Sequence, residues 1–180
     1  LTDGVAETLA QTTTLFHAID QAQPWLESAG KQDINYRSIG ATHVGLSLAK
    51  NPDGVMSANL LNAGDLLAAY FEEQLLKGSV RFTPVFETTE HNVGKELLRD
   101  GLISETELRT HPSRNTVSRA VRLLSGKPLF NSPQNYRLKP KSRGYFVLAS
   151  DGFWNVLTRE EVAAELALGG TPKQILVRLR

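Results

Sequence analysis

Three aspartates share one local pattern, and each could present a carboxylate to a hard cation. Asp3 is followed by Gly4, Asp65 is preceded by Gly64, and Asp151 is followed by Gly152. Asp65 follows a stretch that reads as a strand over 56–63, and Asp151 follows another over Tyr145–Ala149. A buried strand is rigid, so it delivers a side chain at its end to a fixed place on the sheet edge. The neighbouring glycine allows a tight turn and the close approach of an ion. Mg²⁺ and Mn²⁺ take oxygen ligands, so several such carboxylates could converge on them. Asp-Gly is also ordinary turn chemistry, and that reading suffices for any one of the three. The three together move the balance toward a cation site.

Other chemistries drop out. The chain has no cysteine, which removes thiolate nucleophiles, thiolate zinc sites and disulfides. His17, His43, His91 and His111 form neither an i, i+4 pair nor an HExxH. GxSxG and GxxxxGK[ST] are both absent. The net charge of +1 gives no field for nucleic acid or an acidic membrane. No apolar run reaches the roughly 18 residues of a membrane span. The opening LTDGVAETLAQ is acidic where a secretory signal is basic. With the lack of cysteine, this leads to an expectation of a cytoplasmic protein with no nucleic-acid or membrane partner. At 180 residues, 41% hydrophobic and 22% charged, the chain reads as one globular domain.

The elements that must position these residues can be read in turn. Residues 7–29 have Leu9, Phe16, Ile19 and Leu26 near helical spacing, divided at Pro24 and stopped at Gly30. Residues 38–49 read as a strand, and Asn51-Pro52-Asp53-Gly54 as a turn. A strand over 56–63 follows, then one through Leu67, Ala69 and Phe71. Lys77-Gly78 is a turn, and Val80–Phe86 alternates as a half-buried strand. Val93–Arg99 reads as a helix ended by Gly101, and Ser104 with Glu107 forms a capping box. Residues 125–143 are rich in Pro, Ser, Asn and Lys and read as loop, with Lys139, Lys141 and Arg143 as a solvated basic stretch. Ser150-Asp151-Gly152 is expected to turn sharply. Thr158 and Glu161 cap a helix to about Leu168, Gly169-Gly170 ends it, and Thr171-Pro172 opens another. Trp25 and Trp154 read as packing residues. This order fits an α+β domain with helices packed on antiparallel sheet.

These residues carry a family resemblance. GYFVLASDGFWNVLTREEV at 144–162 resembles the signature of metal-dependent protein phosphatases of the 2C type. Ser38–Ala49, with Gly40-Ala41-Thr42, resembles that family's Gly-Thr-Thr strand. Asn62-Ala63-Gly64-Asp65 resembles its Asn-Val-Gly-Asp-Ser-Arg strand. TTEHNVGKELLRDGLISETELRTHPSRNTVSRAVR at 88–122 looks like the Asp-His segment, flap and Thr-Arg-Ala strand of bacterial members. The likeness runs in consistent order over roughly 36–168. It implies a β-sandwich of two antiparallel sheets flanked by helices, in a single domain incomplete at both ends. It implies hydrolysis of phosphoserine and phosphothreonine by a hydroxide bridging two Mn²⁺ or Mg²⁺ ions, with a third held more loosely. Asp151, Asp3 and the carbonyl of Gly4 would be metal ligands, and Asp65 would help hold the third ion. The flap, about Gly101–Asn115, would border the substrate groove, with His91, His111 and Arg114 near it. The partners implied are a phosphorylated protein substrate and a cognate serine/threonine kinase.

The sequence also departs from the family pattern. Asp-Gly-hydrophobic-Gly-Gly-His reads Asp-Gly-Val-Ala-Glu, Ser-Arg after Asp65 reads Leu66-Leu67, and Asp-His reads Glu90-His91. A catalytically dead relative that keeps the fold as a binding or regulatory module is therefore the second reading. An unrelated α+β domain is the third.

Overall fold

Two hairpins fall where local turn chemistry puts them. In the computed structural model, residues 28, 31, 40–124, 127–130, 133–141 and 143–179 are described. Strand β1 is Gly40–Ala41, β2 is His43–Lys50 and β3 is Met56–Ala63. The turn at 51–55 sets the β2–β3 register from Lys50↔Met56 through to His43↔Ala63. Strands β4 (Leu67–Leu76) and β5 (Ser79–Glu87) are joined by Lys77 and Gly78. Both turn residues are left-handed, with φ of 49° and 79°. Two residues of positive φ match the twist of a hairpin. Pro84 in β5 has no N–H to give, and β5 lies at a sheet edge, where that loss is tolerated.

Helices α1 (Val93–Arg99) and α2 (Glu105–Thr110) follow. Then come β6 (Val121–Leu124), β7 (Lys127–Phe130), β8 (Gln134–Leu138) and β9 (Gly144–Ala149). The chain continues through α3 (Asp151–Trp154), α4 (Arg159–Ala167) and α5 (Pro172–Arg178). The capping boxes at Ser104 and Thr158 form as expected, and a third forms between Thr171 and Gln174.

The sheets are antiparallel, ordered β2-β3-β8 and β5-β4-β9, with a small β1-β6-β7 sheet beside them. With the flanking helices this is an α+β sandwich. Strand β4 is central, and Leu67 to Phe71 are buried without interruption. Leu67, Ala69 and Phe71 pack against Trp154, Val162, Ala163, Leu166, Ile175 and Leu179 from the last three helices. Each large apolar side chain so buried contributes about 1.5–3 kcal/mol.

Three expectations need correction. The strand expected over 38–49 breaks at Thr42, and its two parts join different sheets. The loop expected over 125–143 contains β7 and β8. Strand β8 exists because it pairs with β3, Ala58↔Leu138 to Asn62↔Gln134, a partner distant in sequence. The sharp turn expected at Ser150-Asp151-Gly152 is the start of α3. Lys141 and Arg143 are ion-paired to Glu72 and Glu73 on β4, at 3.0 and 3.2 Å. The helix expected over 7–29, with Trp25, falls outside the described residues. Among the described residues no helix is long and apolar enough to cross a membrane.

Candidate active site

Two of the three aspartates meet because of a single strand pairing. Leu67 of β4 pairs with Ala149 of β9. Asp65 and Asp151 each lie two residues beyond that pair, so both leave the sheet at the same end. They line one cavity of about 620 Å³. Trp154 holds the two ends together, since it is buried and its Nε1 donates to the Leu67 carbonyl at 3.4 Å. Asp151 opens α3 in an exposed position, with Oδ1 accepting from the Gly152 N–H at 2.8 Å. Asp65 is half-buried.

The turn before Asp65 is confined from two sides. Gly64 has φ of +130°, and a Cβ there would lie 2.4 Å from Thr42 Cβ and 3.0 Å from its Cα. Only glycine fits that approach. On the other side stands His91. Its main-chain N–H donates to the Gly64 carbonyl at 2.9 Å, and its Nδ1 accepts from the Gly64 N–H at 3.1 Å. Burial pushes the His91 pKa below its ordinary value.

The segment carrying His91 is itself gripped by both sheets. Thr88 N–H donates to the Ala68 carbonyl at 2.9 Å. Thr89 N–H donates to Tyr136 Oη at 2.8 Å, and Asn62 Nδ2 donates to the Thr89 carbonyl at 2.9 Å. Asn92 then caps α1 through Lys95 N–H at 3.1 Å, and both residues line the cavity. Glu90 and Lys95 both line the cavity and form an ion pair.

The flap forms the opposite wall. Asn92 Nδ2 donates to the Arg114 carbonyl at 2.8 Å, and Gly94 N–H to the Ser113 carbonyl at 3.2 Å. Gly94 lets the two segments close up, since a Cβ there would lie 2.9 Å from Arg114 Cα. Arg109 and Arg114 line the cavity from this side, and Arg114 Nη1 donates to the Arg109 carbonyl at 2.6 Å.

The structure thus brings together Asp65, Asp151 and Arg114 of the residues singled out in the sequence. Asp3 and Gly4 lie outside the described residues. His91 lies buried beneath the cavity. His111, half-buried in the flap, uses Nδ1 to accept from the Ser113 N–H at 3.2 Å and is absent from the cavity wall. Lys95 and Arg109 join the wall without having been singled out. The nearest sequence signal for Arg109 is the Ser104–Glu107 capping box, which fixes α2 and places Arg109 in its last turn. Among the described residues no group of three or more His, Cys, Asp or Glu side chains could hold a metal ion.

Two carboxylates and an open cavity still suit a hard cation. Mg²⁺ sites are commonly built from one or two carboxylates, with water and substrate phosphate completing the shell. The two carboxylates fit one such ion, whose remaining positions water and phosphate oxygens would fill.

No protein-family model matches the chain, and no curated protein matches it. Solved structures do. The Mycobacterium tuberculosis serine/threonine phosphatase PstP/Ppp superposes with a TM-score of 0.67 at 19% identity, covering 94% of this chain and 65% of that one. The Staphylococcus aureus serine/threonine phosphatase Stp1 gives 0.65 at 20% identity, covering 99% and 62%. PppA, a regulatory component of T6SS in Pseudomonas aeruginosa, gives 0.64 at 20%, covering 94% and 61%. The chain therefore spans less than two thirds of the length of the solved phosphatases it matches. At these identities the likeness establishes a shared fold, that of the bacterial serine/threonine phosphatases.

Proposed function

We propose that this chain is a metal-dependent serine/threonine protein phosphatase that hydrolyses phosphoserine and phosphothreonine. The observation that carries the reading is the cavity that Asp65, Asp151, Arg109 and Arg114 line together. Carboxylates for a cation and guanidinium groups for phosphate oxygens, in one cleft, are what phosphoryl transfer needs. Asp65 and Asp151 would hold Mn²⁺ or Mg²⁺, and Asp3 with the Gly4 carbonyl would extend the ligand set to a second ion. Bound there, the cation supplies Lewis acidity and offsets charge on the phosphoryl group. Arg109 and Arg114 orient the phosphoryl oxygens through planar, forked N–H donors. Lys95 neutralises Glu90, so Glu90 does not repel the incoming phosphate. The substrate is a phosphorylated protein, made by an opposing serine/threonine kinase.

A second reading, a fold retained as a binding module, draws on the small number of carboxylates found together among the described residues. A Mn²⁺ titration separates the two. The enzyme reading expects Mn²⁺ to raise the melting temperature and to switch on phosphate release from a phosphothreonine peptide. No stabilisation and no release at millimolar Mn²⁺ would leave the binding module.

A further inference from the structure

His91 stands just outside the cavity, yet all its hydrogen-bonding capacity is spent on segments that wall it or brace them. Its side chain is only 2% exposed. Nδ1 accepts from the Gly64 N–H at 3.1 Å, and its own N–H donates to the Gly64 carbonyl at 2.9 Å. Its carbonyl accepts from the Ser118 N–H at 2.9 Å, in the chain that leaves the flap. Nε2 lies 3.1 Å from Gln134 Oε1. The Gly64 N–H can only donate, so Nδ1 must carry the lone pair. Nε2 then carries the proton and gives it to the Gln134 oxygen. One tautomer is selected from both sides.

We propose that His91 is a positioning residue for Asp65. Its ring fixes the Gly64–Asp65 turn and so the direction of the Asp65 carboxylate, while its backbone ties that turn to Ser118 in the chain that leaves the flap. The inference rests on the reading of Asp65 as a cation ligand. The ring does not hold its own segment in place, because Thr88, Thr89 and the side chains of Asn62 and Tyr136 already do so. Removing the ring's acceptor therefore takes away one of the two hydrogen bonds that hold Gly64 and leaves its N–H unpaired, while residues 88–90 stay where they are. Asp65 follows Gly64 directly, so a looser turn leaves the direction of its carboxylate less defined. Groups that orient a metal ligand from behind affect affinity although they never touch the ion.

Two neutral substitutions separate this role from space filling. In His91→Asn the amide oxygen takes the place of Nδ1 and still accepts from Gly64. In His91→Gln the amide reaches the place of Nε2 and leaves the Gly64 N–H without an acceptor. Hydrogen exchange of the Gly64 amide and calorimetric Mn²⁺ affinity are measured on the 180-residue chain. We expect H91N to keep both near wild type, and H91Q to lose about tenfold or more in Mn²⁺ affinity with faster Gly64 exchange. Equal behaviour of the two variants overturns the proposal. A measurement on the unmutated protein needs no variant to fold: a nitrogen–nitrogen coupling across the Gly64 N–H to His91 Nδ1 bond supports the proposal, and its absence overturns it. Should wild type bind no Mn²⁺, the cation reading of Asp65 fails, and the exchange and coupling data still decide whether His91 sets the turn.

Discussion

Asp65 and Asp151 were legible in the sequence because the signal for each is local: a buried strand, then a carboxylate beside glycine. Their convergence was not, since it depends on Leu67 pairing with Ala149. His91 was legible as a residue near the flap and not as a buttress, because its partners Gly64 and Gln134 lie 27 and 43 positions away. Lys95 and Arg109 left no mark, because ordinary helix-surface residues acquire a role only when α1 and the flap close together. These placements fix the first predictions. Asp65→Asn and Asp151→Asn should each weaken Mn²⁺ binding by at least ~10-fold, since even outer partners of a metal site are worth that much. Calorimetry reads the loss, and melting temperature shows that the fold survives. Arg109→Ala should weaken binding of a phosphothreonine peptide about tenfold, the ordinary worth of a charged hydrogen bond. Its side chain is exposed, so stability should barely change.

The β2–β3 and β4–β5 hairpins and the capping boxes were read correctly because each is decided by a few adjacent residues, whereas β3 and β4, also joined by a short turn, lie in different sheets. Strand β8 was read as loop because it is short and flanked by Pro133, Lys139 and Pro140, and only its pairing with β3 decides otherwise. Gly64→Ala is expected to destabilise by about 2–4 kcal/mol, combining backbone strain with a clash against Thr42. The test is urea denaturation, which should give a lower midpoint and an unchanged slope. The capping boxes predict a pH response. Backbone and then side-chain hydrogen bonds from Thr158 hold the Glu161 carboxyl below its ordinary range, and Ser104 does the same for Glu107. A carboxyl whose pKa is lower folded than unfolded adds stability above the ordinary glutamate range. That stability is lost as pH falls through the lowered value. Acid unfolding should therefore begin at higher pH in Thr158→Ala than in wild type, followed by circular dichroism.

The whole molecule places its chemistry at one end of a sandwich whose core lies between the β4 face and the last three helices. Trp154 joins these two parts of the design. It is buried in that core, its Nε1 reaches Leu67, and Arg159 lies 4.1 Å over its ring while bonding Glu87 at 2.5 and 2.8 Å. Trp154→Ala should destabilise by about 3–5 kcal/mol by thermal or urea unfolding. The fold class was legible from element order and from the resemblance over 36–168, and the superposed bacterial phosphatases share it. The proposed activity needs two carboxylates on one cation. A crystal soaked in Mn²⁺ and measured at the manganese absorption edge tests that directly. An anomalous peak roughly 2.0–2.6 Å from carboxylate oxygens of Asp65 and Asp151 is the predicted result. A cavity without a peak, with Asp151 turned away from any ion, would contradict it.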